Sequence, residues 1–196
     1  MKFLSIILLS MVMLPMNNVL AAGNIADAET LIKNSTNEVL DALQKDSSQI
    51  QKLVKKLVKP NFSFRKMSSL ALGKYWKKAT KDQKKKFTAQ FRDLLVGTYS
   101  TALVTIAKKV DKKGIKYSSK STGKSRCMVT SNIKNGAKSL KVDYAMYFKK
   151  GNWKIYNVLV GGVSLITTYK SEFEKTIKSK GIDGLIKNIR NKNKKG

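Results

Sequence analysis

Leu140, Val142, Tyr144, Met146 and Phe148 alternate with Lys141, Asp143, Ala145, Tyr147 and Lys149. Only an extended chain sends every second side chain to one face, so this stretch reads as a half-buried antiparallel strand. Asn135-Gly136 precedes it, the dipeptide most favoured in tight hairpin turns. Lys150-Gly151-Asn152 follows and turns the chain into the apolar run Trp153–Val160. Cys127–Ile133 supplies a strand on the far side of the Asn-Gly turn, and Ile115 and Tyr117 begin another after Gly114. Such a meander has one apolar face, and the rest of the chain must cover it.

The covering material is helical. Ile25, Ala28, Leu31, Ile32, Val39, Leu40 and Leu43 fall near helical spacing. Asp46-Ser47-Ser48 caps a second helix whose stripe is Ile50, Leu53, Val54, Leu57 and Val58, and Pro60 is expected to stop it. Phe62–Trp76 reads as a short helix with a turn at Gly73. Thr80 with Gln83 forms a capping-box pattern at the start of the longest helix, from about Lys81 to Val110. Its apolar face is Phe87, Phe91, Leu94, Leu95, Tyr99, Leu103 and Ile106, which suits either an ordinary core or the wall of a cavity. After Trp153–Val160, the Gly161–Gly162 pair bends the chain from strand to helix, and a second short helix follows. Helices, then an antiparallel meander, then helices again define an α+β chain of one domain over residues 22–190, with a basic Lys/Asn tail over 191–196 expected to fray.

Lys2, the apolar run Phe3–Leu14 and the small residues around Ala21 have the three parts of a cleavable secretory signal peptide over residues 1–21. That run is too short to cross roughly 30 Å of hydrocarbon, and no later segment resembles a membrane span. The expected product is a soluble exported protein of roughly 175 residues, enough for one core. Cys127 is the only cysteine, which rules out an internal disulfide. Histidine is absent, and with it the commonest general base and metal ligand. The formal charge is +28, yet of 40 basic residues only Arg65, Arg92, Arg126 and Arg190 are arginine. Base reading favours the arginine fork, so nucleic acid is a poor partner for this chain. Scattered lysine fits surface solvation, or attraction to anionic lipid headgroups and acidic proteins.

Motifs for chemistry fail on inspection. Gly123-Lys124-Ser125 has the end of a phosphate-binding loop, but Ser118 stands where that motif needs glycine and no strand-to-helix context surrounds it. Asp143 and Tyr144 are neighbours on a strand and point to opposite faces, so they cannot serve one substrate. Gly161-Gly162 lacks the spacing of a dinucleotide turn. These residues carry no enzyme, no cofactor and no metal site.

A resemblance gives the residues more meaning. Ala71-Leu72-Gly73-Lys74-Tyr75-Trp76, then Ala79-Thr80, Gln83, Phe87, Phe91, Leu95 and Tyr99, resemble the middle of the MlaC family of toluene-tolerance auxiliary proteins. Asn152-Trp153-Lys154-Ile155-Tyr156, Gly162–Thr168 and Lys180-Gly181-Ile182-Asp183-Gly184-Leu185 resemble its C-terminal half, so the likeness runs from about Leu53 to Ile189. The chain departs at Asn157 and Gly161, where family members often carry Asp and Glu. The resemblance implies a cone-like, nuclear-transport-factor-type antiparallel sheet with helices packed on it around an apolar cavity. It also implies a periplasmic phospholipid carrier, with phospholipid as cargo rather than cofactor. Its partners would be the substrate-binding subunit of an inner-membrane ABC transporter and an outer-membrane lipoprotein–porin complex, and its role the maintenance of outer-membrane lipid asymmetry. Three groups are then expected to wall the cavity: Phe91, Leu95, Tyr99 and Leu103 on the long helix; Val142, Tyr144, Met146, Val158 and Val160 on the sheet; and Val163 with Ile166 as a gate beside a glycine hinge. All serve equally well as plain core. A periplasmic adaptor with a packed core that binds only protein stays open as the rival.

Overall fold

The computed structural model describes residues 23–135 and 138–194. The expected signal peptide, Gly136 of the expected turn and the last two residues of the tail lie outside them. The fold is α+β. Helix α1 (Ile25–Lys45) starts at Asn24, whose side chain accepts from Ala26 N at 3.0 Å. The next helical segment is composite: α2 (Ile50–Leu53), a π-turn over Val54–Val58, and α3 (Lys59–Asn61). Pro60 was expected to end it, but the chain stays helical to Asn61. Proline cannot donate to the carbonyl four residues back and its ring crowds that carbonyl. The wider turn just before it, with Lys59 N bonded to Val54 O, accompanies this interruption of the regular ladder. Then come α4 (Phe64–Leu72), α5 (Lys74–Lys78) and α6 (Lys81–Ala107). The capping box at α6 is present: Gln83 N donates to Thr80 Oγ1 at 3.1 Å and Thr80 N donates to Gln83 Oε1 at 3.0 Å.

Strands β1 (Ile115–Gly123), β2 (Arg126–Asn135), β3 (Lys138–Lys149), β4 (Asn152–Val160) and β5 (Val163–Ser164) form an antiparallel sheet in chain order. β1 is longer than its apolar residues indicate, because Ser118–Gly123 is polar and solvated on the sheet edge and is held by pairing with β2. Asn135 pairs with Lys138, so the expected hairpin forms. Along β4 the register shifts: Ala145 faces Asn157 while Met146 faces Ile155, leaving Tyr156 as the extra residue of a bulge. The bulge resets the alternation, so Trp153, Ile155, Val158 and Val160 all join the core on one face. Helix α7 (Leu165–Asn193) closes the chain and kinks at Gly181, whose φ of 68° suits glycine. The kink produces the two helices expected from sequence. The second runs past Ile189 to Asn193, whose Nδ2 donates to Gln90 O at 3.0 Å, so fraying does not begin at 191.

Two apolar cores result. In the first, α1 and the end of α6 lie on the sheet face made by Cys127, Val129, Val142, Met146, Trp153, Ile155 and Val158. Trp153 Nε1 donates to Asn24 O at 3.0 Å and ties the start of α1 to β4. In the second, α4, α6 and α7 pack around Phe87, Phe91 and Phe173, with ring centroids between 5.3 and 5.5 Å apart.

Candidate functional site

The expected wall residues divide between the cores. Val142, Tyr144, Met146, Val158 and Val160 share the inner sheet face, cross-paired as Val142–Val160 and Tyr144–Val158. Phe91, Leu95, Tyr99 and Ile166 belong with the helical core. Leu103, expected on the buried face of α6, is 41% exposed, and Val163 is 62% exposed. The reason for Leu103 lies in how α6 is used. Its first half is covered by α4 and α7 and its last turn by α1, and between them Gly97–Thr105 crosses largely uncovered.

That crossing is one of the places where the cores meet. Along α6, Tyr99 packs on the helical core while Val104 and Ile106 pack on the sheet core. At the start of α7, Leu165 packs on the sheet core and its neighbour Ile166 is buried in the helical one. Phe62 touches both. These residues mark an apolar seam, with exposed Leu103 on α6 and Val163 just ahead of α7. Sequence reading missed Phe62, Val104 and Leu165. An aromatic in extended backbone directly after a helix end was the available signal for Phe62; nothing local distinguishes Leu165 from Ile166.

The seam's β4–α7 side is built by polar groups. Gly161 and Gly162 have φ of 58° and 84°. With Val160 paired to Val163 they form a two-residue hairpin turn of the kind that needs positive φ at both positions. They are therefore a turn within the sheet rather than a strand-to-helix hinge. Gly161 N donates to Lys141 O at 2.9 Å, fixing the turn against β3. Ser164 then caps α7, accepting from Thr167 N at 3.2 Å. Asn157 fastens that cap to β4. Its Nδ2 lies 2.9 Å from Ser164 Oγ, and its Oδ1 accepts from Ile166 N at 3.4 Å.

Hydroxyls punctuate the apolar surfaces. Burial, then the neighbouring Tyr169, raises the Tyr99 phenol above the usual tyrosine value. Burial does the same to Tyr144, partly offset by the Ser131 hydroxyl, and to Tyr117, partly offset by Thr36 of α1. Tyr117 Oη is buried with no hydrogen bond of good geometry among the described residues. All three phenols stay neutral at physiological pH.

The groups tested for chemistry have structural settings. Asp143 lies on the other sheet face from Tyr144, accepts from Thr130 Oγ1 at 2.5 Å and pairs with Lys141 at 3.3 Å. Cys127 is wholly buried, and burial pushes its thiol up to about 11. Gly123-Lys124-Ser125 borders a hollow of about 400 Å³ at the β1–β2 turn, and a second hollow of about 210 Å³ lies between α4–α5 and α7. Neither is lined by a predicted wall residue. Among the described residues no cluster of three His, Cys, Asp or Glu side chains could hold a metal ion.

Comparison with known proteins agrees with this architecture. A phospholipid-binding protein from Ralstonia solanacearum, solved in complex with a phospholipid, superposes with a TM-score of 0.74 at 24% identity, covering 86% of this chain and 97% of that one. The family model described as MlaC protein matches residues 33–191. The chain belongs to the MlaC protein family.

Proposed function

We propose that this protein is a periplasmic phospholipid carrier that lodges acyl chains in the seam between its two apolar cores. The observation that carries the reading is that seam: apolar on both sides, crossed by an uncovered stretch of helix, with Leu103 exposed on α6 and Val163 exposed just ahead of α7. The related fold of a protein solved with phospholipid supports it. The family consists of lipid-binding carriers rather than enzymes, consistent with side chains here that bury and cap rather than react.

The physical need for a carrier is simple. Two acyl chains hide about thirty methylenes, each worth about 0.8 kcal/mol in transfer, so escape into water faces a barrier on the order of 20 kcal/mol. A carrier lowers it by exchanging one greasy wall for another while the headgroup stays wet. In this reading Val142, Tyr144, Met146, Val158 and Val160 form the sheet wall, and Phe91, Leu95, Tyr99 and Leu103 the helical wall. Val163 and Ile166 flank the entrance. Opening the seam requires the cores to separate where Phe62, α6 and the start of α7 join them, and where Ser63 N donates to Ile155 O at 2.8 Å and Tyr147 Oη to Ser63 Oγ at 2.9 Å. Exchange would take place against the substrate-binding subunit of an inner-membrane ABC transporter and an outer-membrane lipoprotein–porin complex, which would supply any energy, and would maintain outer-membrane lipid asymmetry.

A second reading, an adaptor that binds only protein, draws on the close packing of both cores, in which Phe87, Phe91, Phe173 and Met146 are fully buried. Lipid transfer between donor and acceptor vesicles separates the two. The carrier accelerates transfer in proportion to its concentration, and the adaptor leaves the spontaneous rate unchanged.

A further inference from the structure

The two tryptophans sit in opposite settings. Trp153 is 5% exposed inside the sheet core. Trp76, on α5, is half-buried and carries cations on its ring: the Arg65 guanidinium of α4 lies 5.8 Å from its centroid and Lys84 Nζ of α6 lies 5.7 Å away. Exposed Lys77 and Lys78 end α5, exposed Lys81 and Lys85 lie on the first turns of α6, and Leu70 of α4 is 39% exposed. The nearby acids are already engaged. Asp82 pairs with Lys86 at 2.8 Å, Asp183 accepts from Gln83 Nε2 at 2.9 Å, and Glu174 lies against Lys74 at 3.4 Å and Lys178 at 3.5 Å. Among the described residues, Lys77, Lys78, Lys81, Lys84 and Lys85 have no ion-pair partner.

We propose that this patch docks the protein onto an anionic membrane surface. An indole flanked by flexible cations is the side-chain combination that settles at a headgroup layer, with the ring at the apolar boundary and the charges among phosphates. Lysine suits a fluid array of headgroups because it acts as a mobile point charge. A fixed phosphate or carboxylate site would call for arginine's bidentate fork, and Arg65, the arginine beside Trp76, lies over its ring. Charge complementarity favours a lipid surface rather than an acidic protein for the same reason: the cations are dispersed over three elements around an aromatic centre instead of being set in rigid pairs.

The position of the patch gives docking a particular use. Helix α6 runs from the patch to the seam, and nineteen residues between Lys84 and Leu103 span about 28 Å at helical rise. Docking through Trp76 therefore tethers the protein while the Leu103 end of the seam stays away from that bilayer, free for a partner. This inference is independent of the carrier reading and stands if the protein carries no lipid.

Flotation with phosphatidylcholine vesicles doped with phosphatidylglycerol, against pure phosphatidylcholine, tests it. The wild-type protein binds the anionic vesicles and not the neutral ones, and its tryptophan emission moves to shorter wavelength on binding. The emission shift disappears in Trp76→Phe. Changing Lys77, Lys78, Lys81, Lys84 and Lys85 together to Gln weakens binding by about fivefold per lysine, and changing them to Arg restores it. Changing Lys108, Lys109, Lys113, Lys116 and Lys120 to Gln, with the same loss of charge elsewhere, leaves most of the affinity. Equal loss in the two Gln variants, no loss in the patch variant, binding to neutral vesicles alone, or an unshifted wild-type spectrum on bound vesicles would each overturn the proposal.

Discussion

Replacing both Leu103 and Val163 by Asp separates a lipid seam from a packed core. In the protein alone the change touches little. Leu103 is 41% and Val163 62% exposed, and substitutions at exposed sites typically move stability by no more than about 0.5 kcal/mol each. Two added carboxylates also relieve a chain of formal charge +28 rather than burden it. With an acyl chain seated the balance reverses. Full burial of a Val or Leu side chain is worth roughly 1.5–3 kcal/mol, so covering the exposed portions contributes about 1 kcal/mol at each site. Losing both costs about 2 kcal/mol, roughly thirtyfold in lipid affinity, before the cost of stripping water from two carboxylates. Displacement of a fluorescent phospholipid gives the affinity and urea unfolding gives the stability. Affinity down by thirtyfold or more with an unchanged urea midpoint is the expected pair of results. Unchanged affinity would refute the placement of the seam's entrance, and a lowered midpoint would show that these side chains serve the fold.

Phe91→Ala should lower stability outright. Phe91 is fully buried against Phe87, Tyr169 and Phe173, so urea unfolding should show a loss of about 3–5 kcal/mol. Asn157→Ala removes the clamp on the start of α7 and should cost about 1–2 kcal/mol in the same assay. Asn157→Asp should stay within about 1 kcal/mol of wild type, because a carboxylate is favoured at a helix N-terminus. Cys127 should resist maleimide at neutral pH and react only in urea. Its folded-state pKa lies above that of the free thiol, so the unfolded chain ionises first. The Cys127 contribution to stability is then full below pH 9 and is lost as pH rises toward 11, which urea midpoints across that range would show against Cys127→Ala.

What the sequence made legible follows its periodicities. The β3 alternation, the Thr80–Gln83 cap and the second short helix at the C-terminal end each depend on a few neighbouring residues, and all three stand in the structure. The β4 bulge was not legible as such, although Trp153 and Ile155 followed by Val158 and Val160 carry its trace as a one-residue slip in an otherwise regular alternation. Pro60 misled because a π-turn let the helix pass it. The Gly161–Gly162 pair was read as a hinge because β5 is too short to announce itself as a strand. The division of one expected wall into two cores was beyond any local pattern. Phe91 and Val142 are equally apolar, and only the path of α6 across both cores decides that one belongs to the helices and the other to the sheet. The seam is a property of that path, which explains why Leu165 carried no warning.

Native mass spectrometry of the protein, purified gently after export, tests the central claim most directly. The account predicts a species heavier than the bare chain by the mass of one phospholipid, which dissociates on activation to leave the unmodified polypeptide. A spectrum showing only the bare polypeptide, both before and after incubation with phospholipid vesicles, would contradict it.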